Sequence, residues 1–199
     1  AIVTTHDLNV LLIGPSSAGK TTILYTLRLQ EVNKNFKSTT GFNYEIIKCP
    51  YKKFRFILNV WDLSGKEELQ DCWPYFYENV NANVILYVVN ANDRESQIRA
   101  RTQFAMVMNE MRLQESMKCV IANVQNAGDD NLQTDEQIRV NLGIDQLESE
   151  VMKINMMRLN SFNVEEVAEI KKEICEFFAK KEKMFKKKRK IATKELNRE

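Results

Sequence analysis

The sequence lacks a hydrophobic run that would cross a membrane and any pair of closely spaced cysteines, and we expect no secretory signal. Its longest apolar stretches, such as Val84 to Val89, fall far short of the roughly 20 residues that a transmembrane helix needs. The four cysteines lie far apart without a C-x-x-C pair, a pattern that favours reduced thiols over a disulfide framework or a zinc site. We therefore expect a cytoplasmic protein, with association to a membrane or to the cytoskeleton as an additional expectation.

The chain also has little net charge, but this balance hides two unlike parts. Its 199 residues carry 29 Lys and Arg against 27 Asp and Glu, a net charge of +2. Residues 180–199 contain ten basic and three acidic residues, for +7, which leaves −5 for residues 1–179. With 44% hydrophobic residues, a chain of this length suits one domain with a full core. We predict one domain over residues 1–179 and a basic, helical extension over residues 180–199.

Apolar runs that alternate with helical patterns predict an α/β domain with a mostly parallel sheet. Helical spacing indicates a last helix from Val164, and residues 33–42 lack periodicity and are predicted to form a loop. Alternating strands and helices favour right-handed crossovers, helices on both faces, and a ligand at the carboxyl ends of the strands. The other predicted elements are strands at residues 8–13, 84–89, 119–122 and 151–156, a hairpin of residues 44–49 and 54–60, and helices at residues 21–29 and 94–113.

Residues 14–21 read Gly-Pro-Ser-Ser-Ala-Gly-Lys-Thr, which matches the phosphate-binding pattern G-x-x-x-x-G-K-[ST] between a strand and a helix. Glycines allow backbone N–H groups to surround phosphate oxygens, and the helix N-terminus adds partial positive charge. In this pattern Lys20 reaches the β and γ phosphates, and the Thr21 hydroxyl binds Mg²⁺. The nucleotide-binding residues predicted in this loop are Gly14, Ser17, Ala18, Gly19, Lys20, Thr21 and Thr22.

Three later segments resemble motifs of small GTPases of the Arf and Arf-like family. They are Thr39 to Glu45, Val60 to Gly65, and Asn92 to Glu95, and the resemblance covers residues 8 to about 178. Gly-Phe-Asn before the hairpin and Asn-Asp-Arg-Glu after the fourth strand are similar to Arf-like rather than Ras-like sequences. The resemblance implies the P-loop small-GTPase fold, with six strands, one of them an antiparallel hairpin strand, and GTP or GDP with Mg²⁺ as ligands.

The resemblance also implies roles for single residues. Thr39 resembles the threonine of the first switch that completes Mg²⁺ coordination, and Asp62 resembles the acid that holds the metal through water. Gly65 would offer its backbone N–H to the γ-phosphate and order the second switch. The rings of Phe42, Trp61 and Phe76 would form an apolar surface that effector proteins recognise, and the alternative is that these rings belong to the core. Taken alone, Thr39 also fits a solvated loop and Asp62 a strand-end turn.

The residue after Gly65 departs from the family pattern, because Lys66 stands where a hydrolysing relative carries a water-orienting glutamine. A lysine ammonium has three donors and no acceptor, so it cannot accept a proton from the attacking water. Its charge could instead stabilise bound GTP, or the side chain could be a solvated surface lysine. Under either interpretation we expect slow or absent hydrolysis.

The base-recognition segment departs as well. The family pattern Asn-Lys-x-Asp is represented by Asn123-Val124-Gln125-Asn126, so that Asn126 replaces the carboxylate that accepts two guanine hydrogen bonds. A shifted alternative, Asn126 to Asp129, restores the Asn-x-x-Asp spacing. The last base-contacting loop of the family falls near residues 156–158 and matches poorly. We expect weakened guanine selectivity and a nucleotide held chiefly by its phosphates and metal.

Beyond Ala179 the chain is rich in lysine, with Met184, Phe185 and Ile191 as a weak apolar face. We expect it to bind an acidic surface, such as an anionic membrane, a tubulin tail or another acidic protein, and no specific nucleic acid. The alternative is a solvated charged end.

Two functions follow for the whole chain. The first is an Arf-like nucleotide-dependent switch or adaptor, and the second is a pseudo-GTPase that serves as a structural subunit of a larger assembly. A P-loop ATPase or nucleoside kinase is disfavoured by Trp61-Asp62 and the Arf-like hairpin.

Overall fold

A computed structural model describes residues 4–31 and 39–196, with side chains described up to Arg189. Residues 33–38 of the predicted loop therefore lie outside the described residues, as does the side chain of Ile191. The strands are β1 (Thr4–Ile13), β2 (Phe42–Tyr51), β3 (Phe54–Leu63), β4 (Val84–Asn90), β5 (Met117–Asn123) and β6 (Ile154–Leu159). The helices are α1 (Lys20–Leu29), α2 (Glu67–Gln70), α3 (Trp73–Asn79), α4 (Arg94–Asn109), α5 (Asp135–Leu142), α6 (Ile144–Leu147) and α7 (Val164–Leu196), with a 3₁₀ turn at Met111–Leu113.

The six strands form one sheet in the order β2-β3-β1-β4-β5-β6. Only the β2–β3 pair is antiparallel among these strands, and all other neighbours are parallel. This arrangement confirms the predicted fold class. The chain leaves β1 toward one edge of the sheet and later crosses to the other edge through β4. Such a reversal of strand order leaves a crevice at the carboxyl end of β1, where open α/β sheets bind their ligands.

Helices cover both faces of the sheet and bury two apolar layers. One layer joins the sheet to α1 and α7 through residues such as Ile23 and Val167. The other joins it to α3, α4 and α5 through residues such as Trp73, Phe104 and Ile138. Strand β4 is apolar over nearly its whole length because its side chains are buried on both faces. The two layers hold the carboxyl ends of the central strands in place.

Four helices were not indicated by the sequence pattern, namely α2, α3, α5 and α6. Each spans only four to eight residues, which is too short for a helical period to emerge from the sequence. Hydrogen bonds at the helix ends mark the bounds of such short helices more clearly than hydrophobic periodicity does. For example, Thr134 and Gln137 form a reciprocal capping box at the start of α5.

The predicted sixth strand, residues 151–156, is displaced by three residues at each end. The structure has β6 at Ile154–Leu159, and Val151 lies before it with 95% of its surface exposed. The reason is that β6 is an edge strand, so that it carries the half-buried Asn155 and, near its end, the exposed Arg158. These polar residues made the end of the strand hard to recognise from the sequence, so the following loop was predicted too early in the chain.

Helix α7 continues without interruption from Val164 to Leu196, which is about 50 Å at 1.5 Å per residue. Its first part packs on the sheet through Val167, Ile170 and Ile174. The last buried residue of its described side chains is Ala179. Within the described part of the chain, no helix is both long enough and apolar enough to pass through a bilayer.

The packing of α4 yields a stability prediction. Phe104 is fully buried, and its ring meets Tyr87 edge to face at 4.8 Å between centroids, whereas Met106 on the same helix is 62% exposed. We expect Phe104→Ala to lower the free energy of unfolding by about 3–5 kcal/mol, because it leaves a cavity in the core. Met106→Ala is the matched control and should change it by less than about 0.5 kcal/mol. Chemical denaturation measures both, and equal effects would contradict this packing.

Candidate nucleotide-binding site

The loop of residues 14–21 connects β1 to α1 at the carboxyl end of the central strand. Gly19 has φ +96°, and a side chain there would lie 2.2 Å from Nδ2 of Asn123, so both conformation and space require glycine. Ser17 also adopts a left-handed conformation, with φ +60°. Ala18 is buried, and Thr22 is half-buried in the first turn of α1. The loop thus has the left-handed turns and the adjoining helix N-terminus from which anion-binding nests are built.

Lys20 is buried beneath this loop. Its Nζ donates to the carbonyl oxygens of Gly14, at 2.9 Å, and Pro15, at 2.7 Å. Burial lowers the pKa of Lys20 to about 8, and the neighbouring Asp62 carboxylate acts in the opposite direction. Two of the three ammonium donors have protein partners, which leaves one for an anion in the loop.

Asp62, at the end of β3, gathers hydroxyl and amide groups from three segments. Its Oδ2 accepts hydrogen bonds from Oγ1 of Thr21 at 2.6 Å and from Nδ2 of Asn43 at 2.9 Å. The hydroxyl oxygens of Thr21 and Thr39 are 3.0 Å apart. Burial raises the pKa of the Asp62 carboxyl, and the bonds from Thr21 and Asn43 oppose that rise. The three residues predicted as metal ligands, Thr21, Thr39 and Asp62, are therefore brought together.

The same group of residues fits a magnesium ion. The Oδ1 atom of Asp62 is buried and has no hydrogen-bond partner among the described residues. Hydroxyl and carboxylate oxygens are suitable ligands for Mg²⁺, which usually takes only one or two protein groups together with water and substrate phosphates. Residues 4–31 and 39–196 contain no cluster of three acidic, histidine or cysteine side chains that would hold a metal alone. The donors present thus suit an ion that is shared with phosphate oxygens.

Gly65 closes the site from the side of β3. A Cβ at this position would lie 2.4 Å from the carbonyl oxygen of Gly14 and 2.5 Å from Nζ of Lys20, so no larger residue fits. The preceding residue, Ser64, donates from Oγ to the carbonyl of Thr39 at 2.8 Å and accepts from Nε1 of Trp73 through its own carbonyl at 3.0 Å. Ser64 therefore ties the Thr39 segment and α3 to the glycine that faces the phosphate loop.

Lys66 is half-buried and directly precedes α2. Its backbone N–H lies 3.4 Å from Oγ of Ser64. The nearby Gln70 donates from Nε2 to the carbonyl of Gly65 at 3.0 Å. That bond commits one donor of the Gln70 amide to the backbone of this segment.

Asn123, the last residue of β5, is fully buried and bridges two loops. Its Nδ2 donates to the carbonyl of Ala18 at 2.9 Å, and its Oδ1 accepts from the N–H of Ser161 at 2.9 Å. Placing the last base-contacting loop at residues 156–158 was wrong, because those residues lie inside β6. The loop that reaches the site begins at Asn160 and includes Ser161. The displaced strand prediction accounts for this error.

The segment after Asn123 takes a path that the sequence motif did not indicate. Val124 packs against the second apolar layer, and Gln125 turns toward the phosphate loop, where its Nε2 donates to the carbonyl of Ser17 at 2.8 Å. The exposed Asn126 uses its Oδ1 to accept the N–H of Gly128 at 3.1 Å. In this segment Gln125, not Val124, forms the hydrogen bond with the phosphate loop.

Asn92 and Asp129 form hydrogen bonds with the backbone of the loop that follows β5. Asn92 fixes its backbone through three hydrogen bonds, to the N–H groups of Gln125 and Asn126 and to the carbonyl of Asn126. Asp129, the acid of the shifted alternative, accepts from the N–H of Asn131 in its own loop at 2.9 Å. The sequence motif containing Asn92 was recognised, but its role in holding the neighbouring loop has no sequence signal.

The three rings predicted to form an effector surface lie together beside the site. Phe42 is 52% exposed, and its ring centroid is 5.5 Å from that of Trp61 and 5.4 Å from that of Phe76. Trp61 and Phe76 are half-buried and also pack against the second apolar layer. Tyr44, which was not predicted, adds a fourth ring at 4.5 Å from Trp61. Period-two alternation along β2 could have indicated Tyr44, because it lies two residues after Phe42.

Comparisons with known proteins agree with this geometry. The family model described as the ADP-ribosylation factor family matches residues 2–176. Among solved structures, the chain is similar to the Arl6 (BBS3) small GTPase from Trypanosoma brucei, determined with the nucleotide analogue GppNp. The TM-score is 0.68 at 17% sequence identity, and the match covers 85% of this chain and 97% of the other. On the strength of the family match over most of its length, the chain belongs to the ADP-ribosylation factor (Arf) family of GTP-binding switch proteins.

Proposed function

We propose that the protein binds GTP and GDP together with Mg²⁺ and acts as a switch or adaptor that hydrolyses GTP slowly or not at all. The observation that carries this proposal is the cluster of Thr21, Thr39 and Asp62 beside Lys20, with Gly65 packed against the same loop. These groups supply hydroxyls, a carboxylate, an ammonium and backbone N–H groups, which is the set required to hold phosphates and a divalent cation.

In this proposal each group has a distinct task. Thr21 and Thr39 provide hydroxyl oxygens for the ion, while Asp62 holds it from the strand end. Lys20 would direct its one remaining N–H toward the oxygens of the β and γ phosphates, and the N–H of Gly65 would report the presence of the γ-phosphate to the second switch. Bound Mg²⁺ would neutralise phosphate charge. Asn43 is a positioning residue, because its amide holds the Asp62 carboxylate beside Thr39.

Slow hydrolysis follows from the groups near Gly65. Lys66 has no acceptor for a water proton. Gln70, the next amide along the chain, has a donor bonded to the carbonyl of Gly65, which holds it to the backbone. A positive charge at Lys66 would favour the anionic triphosphate without activating water. The proposed protein therefore keeps GTP longer than a relative with glutamine at this position.

Recognition of the base is proposed to be weak. Guanine offers the donors N1–H and N2–H, which an aspartate accepts with two oxygens. Asn126 has a single carbonyl oxygen, which already accepts from Gly128. Asn123 would support the loops around the base through Ala18 and Ser161 rather than read the base itself. Affinity would then come mainly from the phosphates and the ion.

For a switch, we propose that effector proteins bind the exposed rings around Phe42. This surface is connected to the site, since Phe42 pairs with Leu63 in the β2–β3 ladder and Leu63 follows Asp62 directly. The alternative is a pseudo-GTPase that holds one nucleotide state as a structural subunit. The replacement of the catalytic glutamine by Lys66 and the inward packing of Val124 favour that alternative.

The rate of GTP hydrolysis tests the proposed effect of Lys66. We expect Lys66→Gln to raise the single-turnover rate of GTP hydrolysis at least about tenfold, because an amide can both donate to phosphate and accept from water. Lys66→Met is the matched control, since it removes the charge without supplying an amide, and it should give no such gain. An unchanged rate for Lys66→Gln, or a wild-type rate equal to that of a glutamine-bearing relative, would refute the proposal.

Competition among nucleotides tests the proposed weak recognition of the base. We expect wild-type protein to discriminate little among GTP, xanthosine triphosphate and ATP in competition binding. Asn126→Asp should strengthen GTP binding by about tenfold or more, since each charge-assisted hydrogen bond contributes about 1.5–3 kcal/mol. The control Asp129→Asn should leave GTP affinity unchanged. A strong wild-type preference for GTP, or loss of GTP binding in the control, would show that another residue reads the base.

Tryptophan fluorescence can distinguish a switch from a pseudo-GTPase. The indole of Trp73 donates to Ser64, and Trp61 lies in the exposed ring cluster, so both tryptophans report on the segment between Asp62 and α3. For a switch, replacing GDP by GppNp should change tryptophan fluorescence, and Trp73→Phe should abolish part of that change. Identical spectra for both nucleotides, with binding confirmed separately, would favour the pseudo-GTPase.

A further inference from the structure

The basic part of α7 extends past the core and lies beside the turn between β2 and β3. Residues 183–189 are all exposed, whereas Ala179 is still buried. Nζ of Lys186 lies 5.9 Å from the ring centroid of Phe54, the first residue of β3. The helix and the turn therefore present neighbouring surfaces.

This combined region is strongly positive. Residues 180–189 contain seven basic residues and one acidic residue, Glu182, which pairs with Lys186 at 3.2 Å. The turn adds Lys52 and Lys53, both exposed. We call residues 180–189 together with Lys52 and Lys53 the tail–turn surface. Its charge is complementary to that of a polyanion.

The tail–turn surface is also partly apolar. Met184 is 61% exposed and Phe185 is 51% exposed, although lysines surround them in the sequence. Lys180, Lys183, Met184 and Lys187 are spaced at i, i+3, i+4 and i+7, which places them on one face of the helix. Phe185 follows Met184 directly and lies about 100° around the helix from it, at the side of this face. A helix that combines lysines and Met184 on one face with Phe185 at its side suits the boundary between water and an anionic bilayer.

We propose that the tail–turn surface binds the surface of a membrane rich in anionic lipids. Lysines near such a surface are attracted by its negative potential, and Met184 and Phe185 can enter the headgroup region. An acidic peptide would satisfy the lysines equally well but would leave both apolar side chains in water. This binding is independent of the proposed nucleotide function, and it gives the protein a membrane-associated pool.

The proposal is tested with the full chain and two kinds of vesicle, phosphatidylcholine alone and phosphatidylcholine mixed with phosphatidylserine. We expect sedimentation only with the mixed vesicles. The double variant Lys183→Gln/Lys187→Gln should bind about thirtyfold more weakly, at about 1 kcal/mol per lysine near the surface. Arg94→Gln/Arg99→Gln is the matched control, because it removes two exposed positive charges from α4, and it should change binding less than about twofold.

A further pair of measurements separates a membrane from an acidic protein. Met184→Ser/Phe185→Ser keeps every charge, and it should weaken vesicle binding while leaving binding to a poly-glutamate peptide unchanged. If this variant sediments with the mixed vesicles as well as wild type does, the partner is an acidic polymer and the proposal is wrong. Sedimentation that does not depend on phosphatidylserine, or an equal loss in the Arg94/Arg99 control, would also overturn it.

Discussion

The candidate site depends on one buried carboxylate, that of Asp62. Asp62 is the last residue but one of β3, and it accepts hydrogen bonds from Thr21 in the first turn of α1 and from Asn43 at the start of β2. A buried carboxylate is costly unless its oxygens are paired, so these contacts hold the segments together as well as prepare the site. The remaining oxygen, Oδ1, has no partner among the described residues. The Oδ1 atom of Asp62 is thus a strong acceptor next to the phosphate loop, where a cation could bind it.

Asn123 has the corresponding role at the other end of the site. It joins the phosphate loop to the loop after β6 through one donor and one acceptor, both inside the protein. The two connections differ in what lies beyond them. Around Asp62 the hydroxyls of Thr21 and Thr39 lie close together beside the carboxylate. After Asn123, in contrast, Val124 packs against the second apolar layer, and the side-chain carbonyl of Asn126 accepts a hydrogen bond within its own loop.

The parts that could be predicted from the sequence are those in which local pattern and function coincide. The phosphate loop is contiguous, and buried strands such as β4 are plain apolar runs, so both were located closely. Contacts that join distant segments, such as Asn43 with Asp62 or Asn92 with the loop at Asn126, have no local signal. The edge strand β6 was misplaced because a half-exposed strand tolerates polar residues such as Arg158, and the loop containing Ser161 was misplaced with it.

The residues around Asp62 and those at Lys66 and Asn126 also differ in how strongly packing constrains them. Lys20, Asp62 and Gly65 are buried, so a change at any of them would disturb local packing. Lys20 and Gly65 lie against backbone groups of the phosphate loop, and Asp62 accepts hydrogen bonds from side chains of α1 and β2. Lys66 is half-buried, and Gln125 and Asn126 are exposed, so the fold tolerates many residues at these positions. Packing therefore constrains Lys20, Asp62 and Gly65 whether or not the protein hydrolyses GTP. The proposed slow turnover and weak base selectivity therefore depend on Lys66 and Asn126, where packing permits many residues and the chemistry of the side chain decides.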